Sequence, residues 1–125
     1  IFEAAIDSTA GRLQIRMRPG ASACVIAASG GYPGKYASGL PITGLDSPHS
    51  RDTVVFHSGT ASRDNAVVTA GGRVLAVTSA AETAANGDSP LRVALANAYS
   101  ALGMIAFEGM QYRRDIGWRA LRDGL

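Results

Sequence analysis

Cysteine is nearly absent from this chain: Cys24 is alone, so no internal disulfide framework is available, and a single thiol fits a reducing compartment. Aromatic residues make up only 6% of the 125 positions, while glycine occurs 15 times. A core drawn from such a pool relies on small side chains and close backbone approaches. An excess of one charge is also missing. The net charge of +2 is too small by itself to imply nucleic acid or a membrane surface. No apolar run approaches the ~20 residues that cross a bilayer, and no signal-peptide pattern opens the chain. These absences predict a soluble, cytoplasmic protein with neither a nucleic-acid nor a membrane partner.

Recognisable reaction centres are lacking as well. No cysteines or histidines stand at metal-ligand spacing, and there is no Walker phosphate loop or dinucleotide fingerprint. The ten carboxylates are scattered, without an evident acid–base or magnesium-binding pair. Cys24, inside the apolar run "ACVIA", reads as a buried small hydrophobe rather than a nucleophile. His57 follows Phe56 in an apolar run and reads as a structural histidine. His49, in a polar loop, is given no role.

What is present suffices for one domain: 46% of residues are apolar and 18% charged. "IFEAAIDS" places Phe2, Ala5 and Ile6 on one helical face, with Gly11 as a stop. No capping residue precedes Ile1 and "RALRDGL" shows no clear C-cap, so the chain is expected to be a piece of a longer polypeptide. "RLQIRMR" alternates Leu13, Ile15 and Met17 with polar residues and predicts a half-buried strand. "SACVIAAS" predicts a strand buried on both faces, and "LPITG" a short extended segment between Pro41 and Gly44. "DSPHSRDT" reads as a polar surface loop.

Three apolar runs follow, "TVVFHS", "AVVTA" and "RVLAVTSA", joined by "GTASRDN" and by Gly71-Gly72. They predict an antiparallel meander, with the glycine pair as a hairpin turn. "AETAANGD" reads as a surface segment turning at Asn86-Gly87. Ser89-Pro90 then supplies an N-cap and a first-turn proline. The helix they open sets Leu91, Ala94, Leu95, Ala98, Leu102 and Ile105 on one face. "AFEGMQYRRDIGWRAL" closes the chain as an arginine-rich strand or turn and a short helical end. The predicted class is α+β: a small, mostly antiparallel sheet or meander packed by one long amphipathic helix.

Two features stand out for function. In "ASGGYPGKY", residues 28–36, Gly30, Gly31 and Gly34 let the backbone approach a ligand or simply turn a corner, and spacing alone leaves both readings open. Lys35 beside them suits an anionic partner. In "YRRDIGWR", Arg113 and Arg114 are adjacent, with Arg119 and Arg122 behind them. Neighbouring side chains on a strand point apart, so at most one of the first two faces a given site. The other pairs with an acid or lies on the surface. A guanidinium fork matches two phosphate oxygens at once, while the bland alternative is a solvated charged terminus.

Taken in order, "ASGGYPGKY", "GLPITGLD", "VFHSGT", "VTAGGRVLAVT" and "FEGMQYRRDIGWRAL" resemble the C-terminal domain of the phosphoribosylamine–glycine ligases. These are ATP-grasp enzymes of purine biosynthesis, also called glycinamide ribonucleotide synthetases. The resemblance runs from about "RPGASACV" to "WRAL" and implies that residues 1–18 end the preceding ATP-grasp region, while 19–125 form the C-terminal domain. It implies an ATP-dependent joining of glycine to 5-phosphoribosylamine through a glycyl phosphate. ATP and Mg2+ would be bound by the upstream ATP-grasp domain and not by this chain, which alone would be inactive. Its partners would be the two substrates and the rest of the ligase polypeptide.

By position in the family motif, Arg114 would bind the sugar phosphate, with Arg113 as the second candidate. Gly30, Gly31 and Gly34 would line the substrate side of the cleft, and Arg73 is a further residue placed to face it. Two loops, "LDSPHSRDT" and "AAETAANGDSP", look longer than a minimal member needs, and Trp118 stands where a smaller or more polar ring is common. Two other readings compete: a non-catalytic binding or scaffold module reusing the fold, and another ATP-grasp ligase acting on a purine-pathway ribonucleotide.

Overall fold

Runs of β-branched residues and alanine extend readily on a pleated surface, and in the computed structural model they do so around one long central strand. The structure describes residues 1–47, 49–82 and 87–123. Its elements in chain order are α1 (Phe2–Ile6), a single 3-10 turn (Ala10–Arg12), β1 (Ala21–Ala28), β2 (Thr53–His57), β3 (Thr60–Arg63), β4 (Ala66–Thr69), β5 (Arg73–Ala81), α2 (Pro90–Leu102) and α3 (Trp118–Arg122). β5 lies between β1 and β2 in a three-stranded antiparallel sheet, while β3 and β4 form a separate hairpin. The class is α+β, as the sequence predicts.

One face of the sheet is closed by α2. Register sets Ala23, Val25 and Ala27 of β1 opposite Ser79, Val77 and Leu75 of β5, and Thr53 and Val55 of β2 opposite Ser79 and Val77. Val25, Ala27, Leu75 and Val77 are completely buried there. From α2, Ala94, Leu95, Ala98, Ala101 and Leu102 come down onto them. Three of those five are alanines, so the helix seats closely on the strands. The core continues through Ile42, Ile105 and Phe107. Its polar members are satisfied: Thr53 Oγ1 donates to Ser79 Oγ at 3.0 Å. Pro90 occupies the first turn of α2 with Ser89 at the N-cap position. The helix ends at Leu102, and Ile105 is buried in the turn that follows. Pro41 and Thr43 each make a single antiparallel bridge, to Val68 and Ala106, so "LPITG" is a short extended segment as predicted.

Several expectations are corrected. Residues 13–18 form no strand, and Leu13, Ile15 and Met17 are exposed. Alternation makes a strand only beside a partner edge, and no strand pairs with this segment among the described residues. α1 buries none of its residues. β1 is buried on one face rather than two, because α2 covers only that side. Ser22, Cys24 and Ile26 therefore face outward, and Cys24 is exposed rather than buried.

The three apolar runs are not a simple meander either. "GTASRDN" contains β3, which pairs with β4 through Asp64-Asn65. Both residues have positive φ, 50° and 61°, the turn chemistry that matches the twist of a two-residue hairpin. Gly71-Gly72 consequently links one sheet to the other instead of closing a hairpin. The predicted turn at Asn86-Gly87 includes a residue outside those described, as does the "AAETAANGDSP" loop.

Leu102 has no exposed surface and sits where α2, β1 and β5 meet. Leu102→Ala should lower the unfolding free energy by about 2–5 kcal/mol. Urea denaturation followed by circular dichroism checks this, and a loss well below that range would mean the helix–sheet interface is looser than its packing indicates.

Candidate binding cleft on the open sheet face

With α2 on one side, the opposite face of the sheet stays open, and the glycine loop closes one end of it. β1 ends at Ala28, whose backbone exchanges hydrogen bonds with Gln111 at 2.8 and 2.9 Å. The loop then runs between two backbones. On one side, Ser29 N donates to Gly72 O at 2.8 Å and Ser29 Oγ to Gly71 O at 2.9 Å. On the other, Gln111 Nε2 donates to Ser29 O at 3.1 Å and to Tyr32 O at 3.0 Å.

This close approach explains the glycines. A Cβ on Gly30 would fall 2.7 Å from the Gly109 carbonyl oxygen, and Gly31 has φ +93° with the Lys35 carbonyl where its Cβ would go. Gly34 donates to the Gly31 carbonyl at 2.7 Å. A Cβ on Gly72 would run into the ring of Tyr32. The glycines shape the corner, and Tyr32 projects from it.

The result is a cleft of about 460 Å³. Ile26 and Ala28 of β1 and Arg73 of β5 line it from the sheet; Tyr32, Gln111, Tyr112 and Arg113 line it from the loop and the "MQYRR" segment. An apolar floor, two tyrosine rings and two guanidinium groups suit a small anion with a partly apolar body. Two other hollows lack this combination. One, before β1, holds Arg18 with Glu82 beside it at 3.8 Å; the other lies between His49 and α2.

The two arginines singled out in the sequence are placed differently. Arg113 lines the cleft and makes a bidentate pair with Asp115, Nε to Oδ1 at 2.8 Å and Nη2 to Oδ2 at 2.6 Å. Those hydrogen bonds hold the Asp115 carboxyl below the usual carboxylate range and raise the Arg113 guanidinium. Arg114 stands over the ring of Tyr112, 5.3 Å from its centroid. The backbone of this motif is tied to α2: Tyr99 Oη donates to Arg113 O at 2.9 Å and accepts from Ile116 N at 3.3 Å.

Arg119 and Arg122 lie farther along, both over the half-exposed ring of Trp118. Gly30, Gly31, Gly34 and Lys35 are not among the lining residues, and His57 bonds Thr60 through Nδ1 at 3.0 Å. Sequence reasoning missed Gln111 and Tyr112. A lone glutamine carries no spacing signal; Tyr112 beside Arg113 was the only hint of an aromatic wall. Among the described residues no three His, Cys, Asp or Glu side chains gather where they would hold a metal ion.

The comparisons with known proteins agree on one family. The family model described as "Phosphoribosylglycinamide synthetase, C domain" matches residues 22–119. A phosphoribosylamine--glycine ligase of Synechocystis is 43% identical over 107 residues, 86% of this chain and 24% of that protein. The trifunctional purine biosynthetic protein adenosine-3 of Gallus gallus is 46% identical over 101 residues, 81% of this chain and 9% of that protein. Among solved structures, the phosphoribosylamine--glycine ligase of Thermotoga maritima superposes with a TM-score of 0.66 at 28% identity, covering 91% of this chain and 27% of that one. The chain thus spans about a quarter of the length of the single-function ligases it matches.

Asp115 titrates against a guanidinium it loses in Arg113→Ala. Its carboxyl, followed by carbon-detected NMR between pH 2 and 6, should show a pKa below the ordinary carboxylate range, and Arg113→Ala should return it to that range. An Asp115 unmoved by the substitution would mean the pair does not persist in solution.

Proposed function

This chain belongs to the phosphoribosylglycinamide synthetase C-domain family, and we propose that it is the substrate-side domain of a cytoplasmic phosphoribosylamine–glycine ligase. In that reading the full polypeptide uses ATP to convert the glycine carboxylate to an acyl phosphate. The amine of 5-phosphoribosylamine attacks the acyl carbon, phosphate leaves, and glycinamide ribonucleotide and ADP result. ATP and Mg2+ are bound by the rest of the polypeptide.

The observation that carries the reading is the cleft itself, set beside the family match: arginine, tyrosine and glutamine side chains converge on an otherwise apolar sheet face. The phosphate of phosphoribosylamine goes to the Arg113 end of the cleft, with Arg114 just outside its lining over Tyr112. Arg113 reaches it with Asp115 fixing the plane of its fork, and Arg114 adds charge beside the Tyr112 ring. Gly30, Gly31 and Gly34 serve the site by shaping the loop that brings Tyr32 to its wall. The bond-making chemistry belongs to the rest of the polypeptide.

ADP formation by the full-length polypeptide should require both glycine and phosphoribosylamine. A folded full-length protein that shows no such turnover would favour a non-catalytic binding module on the same fold. Arg113→Ala and Arg114→Ala should each raise KM for phosphoribosylamine by about ten- to a hundred-fold, the worth of one charge-assisted hydrogen bond. KM for glycine should hold steady. An unchanged constant in either variant removes that arginine from the phosphate site.

A further inference from the structure

Arg73 enters the cleft because of an irregularity in β5. From Ala23 to Ala27 the pairing of β1 with β5 is regular, ending at Ala27↔Leu75. The next pair would be Ala28↔Val74; instead it is Ala28↔Arg73, so Val74 is an extra residue on β5. Side chains alternate along a strand, and a one-residue slip reverses the faces of everything beyond it. Without the bulge, Leu75 and Arg73 would point the same way, into the core. With it, Val74 and Leu75 are both completely buried and Arg73 is exposed on the face of Ala28. Bulges of this kind commonly re-aim a side chain beside a functional site.

The neighbours fit the same purpose. Ala28 bridges Arg73 on one side and Gln111 on the other, so Arg73, Ala28 and Gln111 form one row across the floor of the cleft. Ala28 is too small to separate the two long side chains. Among the described residues, the Arg73 side chain makes no hydrogen bond or ion pair. Arg113 differs: two of its donors and much of its charge are already engaged by Asp115. Of the two guanidinium groups that line the cleft, Arg73 is therefore the one without a counter-ion among the described residues.

We propose that Arg73, re-aimed by the bulge at Val74, is a second phosphate-binding residue of this cleft and sets its preference for a phosphorylated sugar. The assignment rests on the ligase reading of the site. Arg73 approaches the anion from the sheet, Arg113 from the segment after Gln111. Two guanidinium groups from separate elements recognise a dianion more selectively than one fork does.

The test uses the full-length polypeptide and the variants Arg73→Ala and Arg73→Lys. Steady-state KM values for phosphoribosylamine, glycine and ATP are measured, together with ribose 5-phosphate binding by calorimetry. Arg73→Ala should raise KM for phosphoribosylamine and weaken ribose 5-phosphate by about tenfold or more, with the glycine and ATP constants unchanged. Arg73→Lys, which keeps the charge but not the fork, should recover part of both and so exclude a merely structural loss.

Normal turnover with ribose 5-phosphate affinity untouched in Arg73→Ala overturns the role of Arg73 and leaves the ligase reading intact. No turnover by the wild type, with ribose 5-phosphate bound and lost in Arg73→Ala, upholds Arg73 and overturns the ligase. A wild type that neither turns over nor binds ribose 5-phosphate overturns both.

Discussion

Everything in this fold hangs on β5 being paired on both edges while one of its faces lies under α2. Leu75 and Val77 lose all contact with water there, against Val25 and Ala27 on one side and Val55 on the other. Apolar burial of this kind is the main favourable contribution to a domain of this size, worth about 1.5–3 kcal/mol for each large side chain. The central strand also fixes position. β1 delivers the glycine loop at its end, and β5 begins with Arg73 next to it. Without the β1–β5 pairing, the loop and the arginine would have no common reference.

The glycine loop shows how such a reference becomes a wall. Its backbone is held from one side by Gly71 and Gly72 and from the other by the Gln111 amide. Bare glycine at positions 30 and 72 is what lets these backbones and the Tyr32 ring come together. The loop and the corner are therefore one device: by turning tightly the chain places a tyrosine beside two arginines. In the structure the glycines turn the chain, and that turn positions Tyr32 on the wall of the cleft.

Much of this was legible in the sequence where local chemistry and tertiary context agree. Pro90 after Ser89, followed by a 3.6-residue apolar period, specifies α2 almost to its ends. The β-branched runs likewise specify β2, β4 and β5. The failures share a cause, that periodicity records a face without recording its partner. "RLQIRMR" alternates correctly yet has no adjacent strand among the described residues, while "TASR" is hardly apolar yet pairs because Asp64-Asn65 turns the chain back on itself. The apolar run around Cys24 predicts burial, but α2 covers only one side of the strand and the thiol is exposed. The bulge at Val74 was out of reach: two consecutive apolar residues look alike whether or not the register shifts. For the site, arginines were visible as charge, but which of them shares a face with Tyr32 is a matter of register.

The open sheet face has a cost and an electrostatic logic. Leaving it uncovered keeps Ile26 of β1 and Val54 and Phe56 of β2 partly exposed, and of these Ile26 lies on the floor of the cleft. Charge is arranged at the rim. The Arg113–Asp115 pair is solvent-exposed, so it adds little to stability. Its sign is nonetheless definite: Asp115 is held below the ordinary carboxylate range, so its contribution is present above that range and fades as acid protonates it. Near neutral pH the pair is intact, and what it supplies is orientation rather than net charge. The cleft thus carries two kinds of guanidinium, a fork aimed by its own counter-ion at Arg113 and, at Arg73, one without an ion pair among the described residues.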